Sequence, residues 1–197
     1  MKSQAMKDRE LVRQFIAGNP AAFERLFNRH KDRIYTYIFY IVKNEALADD
    51  IFQDTFIKVI NSLKRGKYNE QGVFVSWVTR IAHNLTIDYF RKEKKMPAYS
   101  NDANEDYDIF NSEEFSDENI EDEMVKTHIS SEVKKLIQEL PEEQREVVLL
   151  RHYGELSFKE IAEKTGVSIN TALGRMRYAL INIRKLMEEK ELNLTYY

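Results

Sequence analysis

The side chains best suited to bind a ligand lie in RIAHNLTIDYFRKEKK, residues 80–95, and just before it. An amide, Asn84, stands here among the aromatic rings of Trp77, Tyr89 and Phe90. The cationic side chains of the segment are Arg80, Arg91, Lys92, Lys94 and Lys95. Bases pulled from a duplex need aromatic or apolar walls, amides that read their edges, and cations for their phosphates. The combination indicates binding of unpaired nucleic acid, whereas each residue alone is more often part of a core or a solvated helix end.

An acidic cluster lies upstream, in ADDIFQDTF at residues 48–56. Helical spacing places its polar members on the face opposite Ile51, Phe52 and Phe56. These polar members are Asp49, Asp50, Gln53 and Asp54. Because carboxylates repel phosphate, this surface is predicted to face another protein, with a plain solvated helix face as the alternative.

The same carboxylates leave a metal site open as a further alternative. Asp50 and Asp54, four residues apart, could share a cation with Asp49 nearby, as in a nucleic-acid-processing enzyme. The four histidines are scattered through the chain, however, and no H-E-x-x-H motif is present. The sequence therefore favours a protein with no metal, no cofactor and no catalysis of its own.

A third pattern joins two amphipathic runs in LSFKEIAEKTGVSINTALGRMRYALINIRKLM, residues 156–187. Ser157 and Glu160 match the S-x-x-E capping box that starts a helix. Gly166 suits the left-handed end of that helix, and Ser168 can cap the next one. Two helices joined by so short a turn are predicted to form a helix-turn-helix.

The second helix of this motif is predicted to direct one apolar stripe inward: Ala172, Met176, Leu180, Ile183 and Met187. Its N-terminal half is predicted to direct polar side chains outward: Asn170, Thr171, Arg175, Arg177 and Tyr178. This half enters the DNA major groove in helix-turn-helix proteins. The caps, the turn glycine and the basic outer face together favour DNA binding over an ordinary helical hairpin with solvated arginines.

The elements that hold these patterns are predicted to be helices throughout. Only 6 Gly and 3 Pro in 197 residues argue against a turn-rich β fold. Gly18–Pro20 is expected to separate the first two helices, and Arg33–Val42, apolar almost all round, to form a buried helix. A loop is expected at Lys64–Gly72, and a helix break is possible at Asn84. Pro141 is expected in the first turn of a later helix.

The predicted fold class is all-α, with two small helical domains at residues 8–95 and 124–190 and an acidic flexible linker at residues 96–123. Residues 96–125 contain eleven Asp and Glu and no Lys or Arg. The rest of the chain therefore carries 30 basic and 22 acidic side chains, which suits an anionic partner. The linker is so polar that burial of its few apolar side chains would not offset the conformational entropy lost on ordering it.

Composition also bears on localisation. The chain has no cysteine, which suits a reducing compartment. Its N-terminal residues contain no apolar run of signal-peptide length, and no window is apolar enough to span a membrane. A soluble, cytoplasmic protein without direct membrane insertion is expected.

Taken in order, these segments resemble the extracytoplasmic-function (ECF) sigma factors, the small two-domain initiation subunits of bacterial RNA polymerase. LVRQFIAGNPAAFERLFNRH is similar to the opening helices of sigma domain 2, and ALADDIFQDTFIKV to the helix that docks on the β′ coiled coil. FVSWVTRIAHNLTIDYFRKEKK resembles the −10 element segment, and LPEEQREVVLLRHYGELSFKEIAEKTGVSINTALGRMRYAL resembles domain 4. The resemblance covers nearly all of the chain except the linker.

The resemblance implies a role for each cluster. It implies that core polymerase is contacted by Asp49, Asp50, Gln53 and Asp54. It implies that −10 DNA is contacted by Trp77, Arg80, Asn84, Thr86, Arg91, Lys92 and Lys95. It implies that −35 DNA is contacted by Asn170, Thr171, Leu173, Gly174, Arg175, Arg177 and Tyr178. The implied partners are core RNA polymerase, through its β′ coiled coil and β flap, promoter DNA, and an anti-sigma factor.

One pair of residues departs from the family pattern. Many members carry a basic residue and a serine where this chain has Leu173 and Gly174. Leucine can touch a thymine methyl but cannot make the bidentate contact of arginine with guanine, so an unusual −35 preference is expected. The main rival function, an autonomous helix-turn-helix repressor, would require dimer symmetry and leaves Asp50, Gln53 and Asp54 unexplained.

Overall fold

The computed structural model describes residues 2–68, 73–93 and 132–192, and these ranges contain eight α-helices and no strand. The helices are α1 (Lys2–Ile16), α2 (Pro20–Val42), α3 (Glu45–Lys64), α4 (Phe74–Glu93), α5 (132–139), α6 (Glu142–His152), α7 (Phe158–Thr165) and α8 (Ile169–Glu189). The predicted all-α fold is confirmed. The predicted linker at residues 96–123 lies outside the described residues, so the domain limits placed around it stay predictions.

The first helix boundaries follow from capping residues visible in the sequence. Gly18 has a φ of +101° between α1 and α2, a left-handed conformation that glycine adopts without steric cost. Asn19 caps α2 by accepting a hydrogen bond from the Ala21 amide (3.1 Å), and Pro20 occupies the first turn as predicted. The buried helix predicted at Arg33–Val42 is the C-terminal half of α2. It is continuous with the first half, because no helix-breaking residue lies between the two.

The helix break considered at Asn84 is wrong, since α4 runs unbroken from Phe74 to Glu93. Asn84 is exposed in mid-helix, where its lower helix propensity costs only a fraction of a kcal/mol. Pro141 also differs slightly from its predicted place, since it is the residue just before α6. The −10 candidates from Trp77 to Lys92 are consequently carried by one continuous helix.

Helices α1–α4 form one bundle and α6–α8 form a second, and the two bundles pack against each other mainly through α2 and α6. Their buried apolar side chains form one continuous cluster, which includes Leu26 and Val78 from the first bundle and Leu149 from the second. At the boundary the ring centroids of Tyr40 and Tyr153 are 6.2 Å apart. The two domains are therefore packed together in this structure.

A buried ion pair fastens α1 to α2. Asp8 is only 2% exposed, and its carboxylate accepts a hydrogen bond from Arg29 and lies 3.0 Å from Nε2 of His30. Burial raises the pKa of Asp8, but the hydrogen bonds and charges of His30 and Arg29 outweigh burial and hold this pKa below its usual value. Asp8 is therefore ionised at neutral pH, with its charge compensated.

Asp8→Ala is expected to destabilise the protein by about 3 kcal/mol, because it leaves the buried His30 without its polar partner and Arg29 without its counter-charge. Urea unfolding followed by circular dichroism measures this loss. Asp32→Ala, at an exposed position of α2, serves as the control and should cost less than about 0.5 kcal/mol. Equal effects of the two substitutions would contradict the importance of the buried pair.

Candidate nucleic-acid and protein interfaces

The predicted acidic cluster lies on one exposed side of α3. Asn44 caps this helix by accepting a hydrogen bond from the Leu47 amide (2.9 Å), while Ile51, Thr55 and Phe56 are buried. The four polar residues on the other side are all exposed, and we call them the α3 acidic surface: Asp49, Asp50, Gln53 and Asp54. Their spacing along the helix makes this a continuous surface that a protein partner can cover.

The carboxylates of the α3 acidic surface differ in their contacts with neighbouring side chains. Asp49 accepts a hydrogen bond from Tyr35, and burial together with this carboxylate raises the pKa of Tyr35 to about 12. Asp50 and Asp54 have no basic partner among the described residues. Among all the residues that the structure describes, no three His, Asp or Glu side chains lie together in a way that could hold a metal ion. Asp50 and Asp54 are accordingly the carboxylates most available to a partner.

Ile57 extends the α3 acidic surface by one helical turn and is 55% exposed. An exposed apolar side chain beside unpaired carboxylates combines a hydrophobic anchor with charge selection, as protein interfaces do. Ile57 was not among the residues predicted to face a partner, because the prediction rested on the charged and polar side chains of this helix alone. Its exposure became visible only when Phe56 and Val59 proved to fill the core beneath it.

The predicted −10 residues Arg80 and Asn84 lie on one side of α4, which we call the α4 polar face: Thr79, Arg80, His83 and Asn84. Arg80 donates a hydrogen bond to the carboxylate of Glu160 (3.2 Å). The Asn84 carbonyl oxygen accepts a hydrogen bond from the ammonium of Lys164 (3.0 Å). Both partners belong to α7, so the helix-turn-helix occupies these two side chains in this structure.

Two other −10 candidates are less available than the sequence suggested. Trp77 is half-buried, with its ring centroid 4.9 Å from that of Tyr68 and 5.9 Å from that of Phe74. Thr86 is fully buried, and its hydroxyl donates to the Ala82 carbonyl (2.9 Å) within α4. A base contact by Thr86 does not fit this packing, because its side chain has no exposed surface and its hydroxyl is already bonded.

The cationic end of α4 is open to solvent. Arg91 and Lys92 are exposed in the last turn, as a phosphate-binding role requires. Arg91 lies 3.9 Å from the carboxylate of Asp88, and an exposed pair of this kind contributes little stability and leaves the guanidinium available. Lys94 and Lys95 lie outside the described residues.

The predicted helix-turn-helix is confirmed. Ser157 and Glu160 form a reciprocal capping box at the start of α7, and Gly166 has a φ of +67° at its end. Ser168 then caps α8 by accepting a hydrogen bond from the Thr171 amide (3.0 Å). The short turn holds α7 and α8 in a fixed mutual orientation.

Helix α8 presents most of its predicted −35 residues to solvent: Asn170, Thr171, Leu173, Arg177 and Tyr178. Gly174 is half-buried. The side chain of Arg175 is only 20% exposed and pairs with Glu143 of α6 (3.1 Å). Arg175 therefore contributes mainly to holding α8 against α6. The exposed outer face of α8 is therefore narrower than the sequence predicted.

The inward position predicted for Leu180 is wrong. Leu180 is 49% exposed, whereas Ala179 is fully buried. The 3.6-residue period places residues 172, 176, 179 and 183 on one face, so the buried stripe passes through position 179. Leu180 instead lies on the exposed side of the helix.

Arg33 of α2 makes the main polar contact between the domains, and sequence analysis missed it. Its guanidinium donates to the carbonyl oxygens of Tyr153 (2.6 Å) and His152 and to the carboxylate of Glu155. Arg33 thus caps the C-terminal carbonyls of α6 from the other domain, and we call these contacts the Arg33 cap. No local pattern could reveal it, because about 120 residues separate the partners.

His83 connects the two bundles from a buried position on the α4 polar face. Its Nδ1 lies 2.9 Å from the hydroxyl oxygen of Tyr37. Burial and, to a smaller extent, the charge of Lys164 lower the pKa of His83 to about 4, although a hydrogen bond with the Lys164 backbone opposes this shift. His83 is therefore neutral at physiological pH and accepts a hydrogen bond from Tyr37, whose pKa burial holds well above its usual value.

Folding stability is expected to fall as the pH drops from about 6.5 to 4. The unfolded chain protonates His83 near pH 6.5, whereas the folded protein resists protonation until about pH 4, so the unfolded state binds more protons in this window. His83→Gln cannot ionise and should remove up to about 3 kcal/mol of this pH dependence. Urea unfolding at a series of pH values tests this, and an unchanged slope in the variant would refute it.

Comparison with known proteins assigns the two domains to known sequence families. The model for Sigma-70 region 2 matches residues 26–96, and the model for Sigma-70, region 4 matches residues 130–177. The chain is 32% identical over 183 residues to the RNA polymerase sigma factor CarQ of Myxococcus xanthus, covering 93% of this chain and 99% of CarQ. The chain therefore belongs to the sigma-70 family of RNA polymerase sigma factors.

Within that family the chain is an ECF sigma factor. The ECF RNA polymerase sigma factor SigW of Bacillus subtilis is 29% identical over 188 residues, covering 93% of this chain and 98% of SigW. The protein is thus a promoter-specific transcription initiation factor that acts with RNA polymerase, as the resemblance of its motifs implied. Sigma factors are known as non-catalytic initiation factors.

Solved structures share the fold. The structure of CnrH in complex with the cytosolic domain of CnrY matches with a TM-score of 0.57 at 23% identity, covering 93% of this chain and 98% of the solved one. The sigma factor RpoE of Bartonella quintana, solved with the anti-sigma factor NepR, matches with a TM-score of 0.56 at 16% identity, covering 84% of this chain and 96% of the solved one.

None of the helices that the structure describes has both the length and the apolar character that a membrane-spanning helix needs.

Proposed function

We propose that this ECF sigma factor docks on the β′ coiled coil of core RNA polymerase through the α3 acidic surface. Residues 8–95 would act as sigma domain 2 and residues 124–190 as sigma domain 4, which sits on the β flap, with residues 96–123 as the tether. Arg80, Asn84 and the cationic end of α4 would bind unpaired −10 DNA, and α8 would read duplex −35 DNA. The chain itself would perform no catalysis, because the core polymerase supplies nucleotidyl transfer.

The observation that best supports this proposal is the separation of charge over the surface. Asp50 and Asp54 are exposed and without a basic partner among the described residues, whereas the cations of α4 and α8 lie elsewhere. A carboxylate surface cannot meet phosphate, so it needs a protein partner of opposite charge. Two small DNA-binding surfaces bind a promoter more tightly when one large partner holds both. Binding of the first surface then raises the effective concentration of the second at the promoter.

The exposed face of α8 suggests how the −35 element would be read. Leu173 is exposed near the N-terminal end of the helix, where an apolar side chain can contact a thymine methyl group. Arg177 and Tyr178 are exposed one turn further on and would contact bases or phosphates. Because Arg175 is paired with Glu143, we assign it a supporting role in positioning α8.

We also propose a cytoplasmic location and a cytoplasmic anti-sigma partner. CnrH and RpoE were each solved with a bound protein, the cytosolic domain of CnrY and the anti-sigma factor NepR. A partner of this kind would compete with core polymerase for the same sigma factor. Co-purification of the tagged protein from its own cells, without added polymerase, is the direct way to find it.

In-vitro transcription with purified core polymerase and genomic DNA tests the proposed function. Addition of the protein is expected to produce RNA chains with discrete start sites that share upstream −10 and −35 sequences. The protein without polymerase should bind the same promoters only weakly in a gel shift. Tight duplex binding by the isolated protein, or start sites that do not depend on it, would overturn the proposal.

A further inference from the structure

We propose that Gly174 determines −35 specificity by leaving a gap on the outer face of α8 that admits the 5-methyl group of one thymine. The inference rests on the proposed −35 role of α8 and gives that role a chemical target. The base at this point of the promoter would be selected by the absence of a side chain, and not by a hydrogen-bonding side chain.

Gly174 is a glycine that the fold itself does not require. In the described part of the chain, Gly18, Gly66 and Gly166 have φ values between +64° and +101°, and Gly154 is crowded by its neighbours. Gly174 has neither property, since its φ is not positive and, apart from the adjoining backbone of α8, no atom of the described residues lies within 4 Å of a β-carbon placed on it. A glycine inside a helix costs up to about 1 kcal/mol relative to alanine. Packing therefore does not explain why this position lacks a side chain.

The position of Gly174 on α8 places it among the residues proposed to contact DNA. Asn170 lies one turn before it and Tyr178 one turn after it, and both side chains are exposed. Helical spacing puts these three residues in one line along the outer face of the helix. Because position 174 has no side chain, this line is interrupted by a gap. Gly174 is half-buried, as expected of a residue at the floor of such a gap.

The side chains around the gap are available to a ligand. Neither the amide of Asn170 nor the guanidinium of Arg177 has a polar partner among the described residues. Leu173 is 43% exposed and lies next to both of them on the helix surface. The outer face of α8 thus combines an apolar gap with a polar and cationic rim, which suits the edge of a base pair flanked by phosphates.

The chemistry of the gap favours a methyl group over the other groups that the major groove presents. Past the first turn of a helix, each backbone amide donates to the carbonyl four residues earlier, so the floor of the gap offers no free donor to a phosphate or a base acceptor. The floor is the α-carbon of Gly174, and the exposed Leu173 beside it is also apolar. The apolar group on base-pair edges in the major groove is the 5-methyl group of thymine. This methyl group would leave water and contact α8 at the place that an alanine β-carbon would occupy.

Methyl groups can be removed from the DNA and added to the protein one at a time, which tests the inference directly. A promoter identified by start-site mapping would be prepared with each −35 thymine replaced in turn by uracil, which lacks only the 5-methyl group. Gly174→Ala fills the gap and is expected to keep or raise the melting temperature, so a loss of promoter binding would not reflect unfolding. Lys185→Ala, at an exposed position nearer the other end of α8, is the control. Open-complex formation by the complete holoenzyme would be titrated for every pair of protein and template.

The preference between thymine and uracil is expected to reverse when the gap is filled. At one −35 position, uracil should weaken promoter binding by the unsubstituted holoenzyme about fourfold, which corresponds to one buried methyl group. Gly174→Ala should weaken binding to the thymine promoter about tenfold or more, because two methyl groups cannot occupy one place. The same variant should bind the uracil promoter better than the thymine promoter. Lys185→Ala should keep the preference of the unsubstituted protein.

Three results would overturn the proposal. Unchanged binding of Gly174→Ala to the thymine promoter would show that no group of the DNA enters the gap. Equal losses for this variant on the thymine promoter and on every uracil promoter would show that the alanine methyl does not compete with a thymine methyl. Mapped −35 elements with no thymine on either strand would leave the gap without its target. A failure of the proposed function is distinguished from these results, because a scrambled −35 sequence would then leave transcription by the unsubstituted holoenzyme unchanged.

Discussion

Replacing Asp50 and Asp54 together by alanine is expected to weaken binding to core RNA polymerase by about a hundredfold or more. Each exposed carboxylate would lose a charged partner in a desolvated interface, where single truncations commonly cost more than 1 kcal/mol. Two such losses amount to roughly 3 kcal/mol, which is about a hundredfold in the dissociation constant. Transcription from any promoter should fall accordingly at limiting protein concentration.

The fold should survive this substitution, because neither carboxylate has a basic partner among the described residues and both lie on the solvent side of α3. Surface plasmon resonance against immobilised core polymerase measures the affinity, and circular dichroism checks the helical content. Glu24→Ala combined with Asp32→Ala removes two exposed carboxylates from α2 and is the control with equal net charge. Affinity within threefold of the unsubstituted protein would refute the docking assignment.

Gly154→Ala is expected to cause the largest loss of stability of any single methyl added to this protein at a described glycine. The new β-carbon would lie 2.6 Å from the Leu150 carbonyl oxygen, 2.7 Å from a Leu156 methyl and 2.8 Å from the Thr79 methyl. The first of these atoms belongs to the backbone and cannot rotate away, so the turn itself must shift. A loss of about 3 kcal/mol is expected, or roughly 10 °C in melting temperature.

Gly174→Ala is the control, and its expected effect has the opposite sign. Apart from the adjoining backbone of α8 itself, no atom of the described residues lies within 4 Å of a β-carbon at this position, and alanine favours a helix over glycine by up to about 1 kcal/mol. Thermal unfolding followed by circular dichroism compares the two variants. A melting temperature for Gly154→Ala equal to that of the unsubstituted protein would contradict the close packing of the turn against α4.

Local chemistry made the helices and their ends predictable. Ser157, Glu160, Gly166 and Ser168 act through bonds to residues at most four positions away, so the helix-turn-helix was visible in the sequence. Amphipathic spacing likewise placed the α3 acidic surface outward, because a helix must bury its apolar stripe whatever surrounds it. The order of the motifs along the chain was enough to indicate the family.

Tertiary packing decided which of the candidate side chains are free. Thr86 proved to be buried, Arg175 proved to be paired with Glu143, and Ile57 proved to be exposed, because each outcome depends on a neighbouring helix and not on the residue's own helix alone. The Arg33 cap joins residues about 120 positions apart, and no periodicity encodes a contact at that separation. Sequence alone determined the elements and their chemistry, whereas the packing of the helices and of one domain on the other determined which of those side chains are exposed and unpaired, because that packing joins residues far apart in the chain.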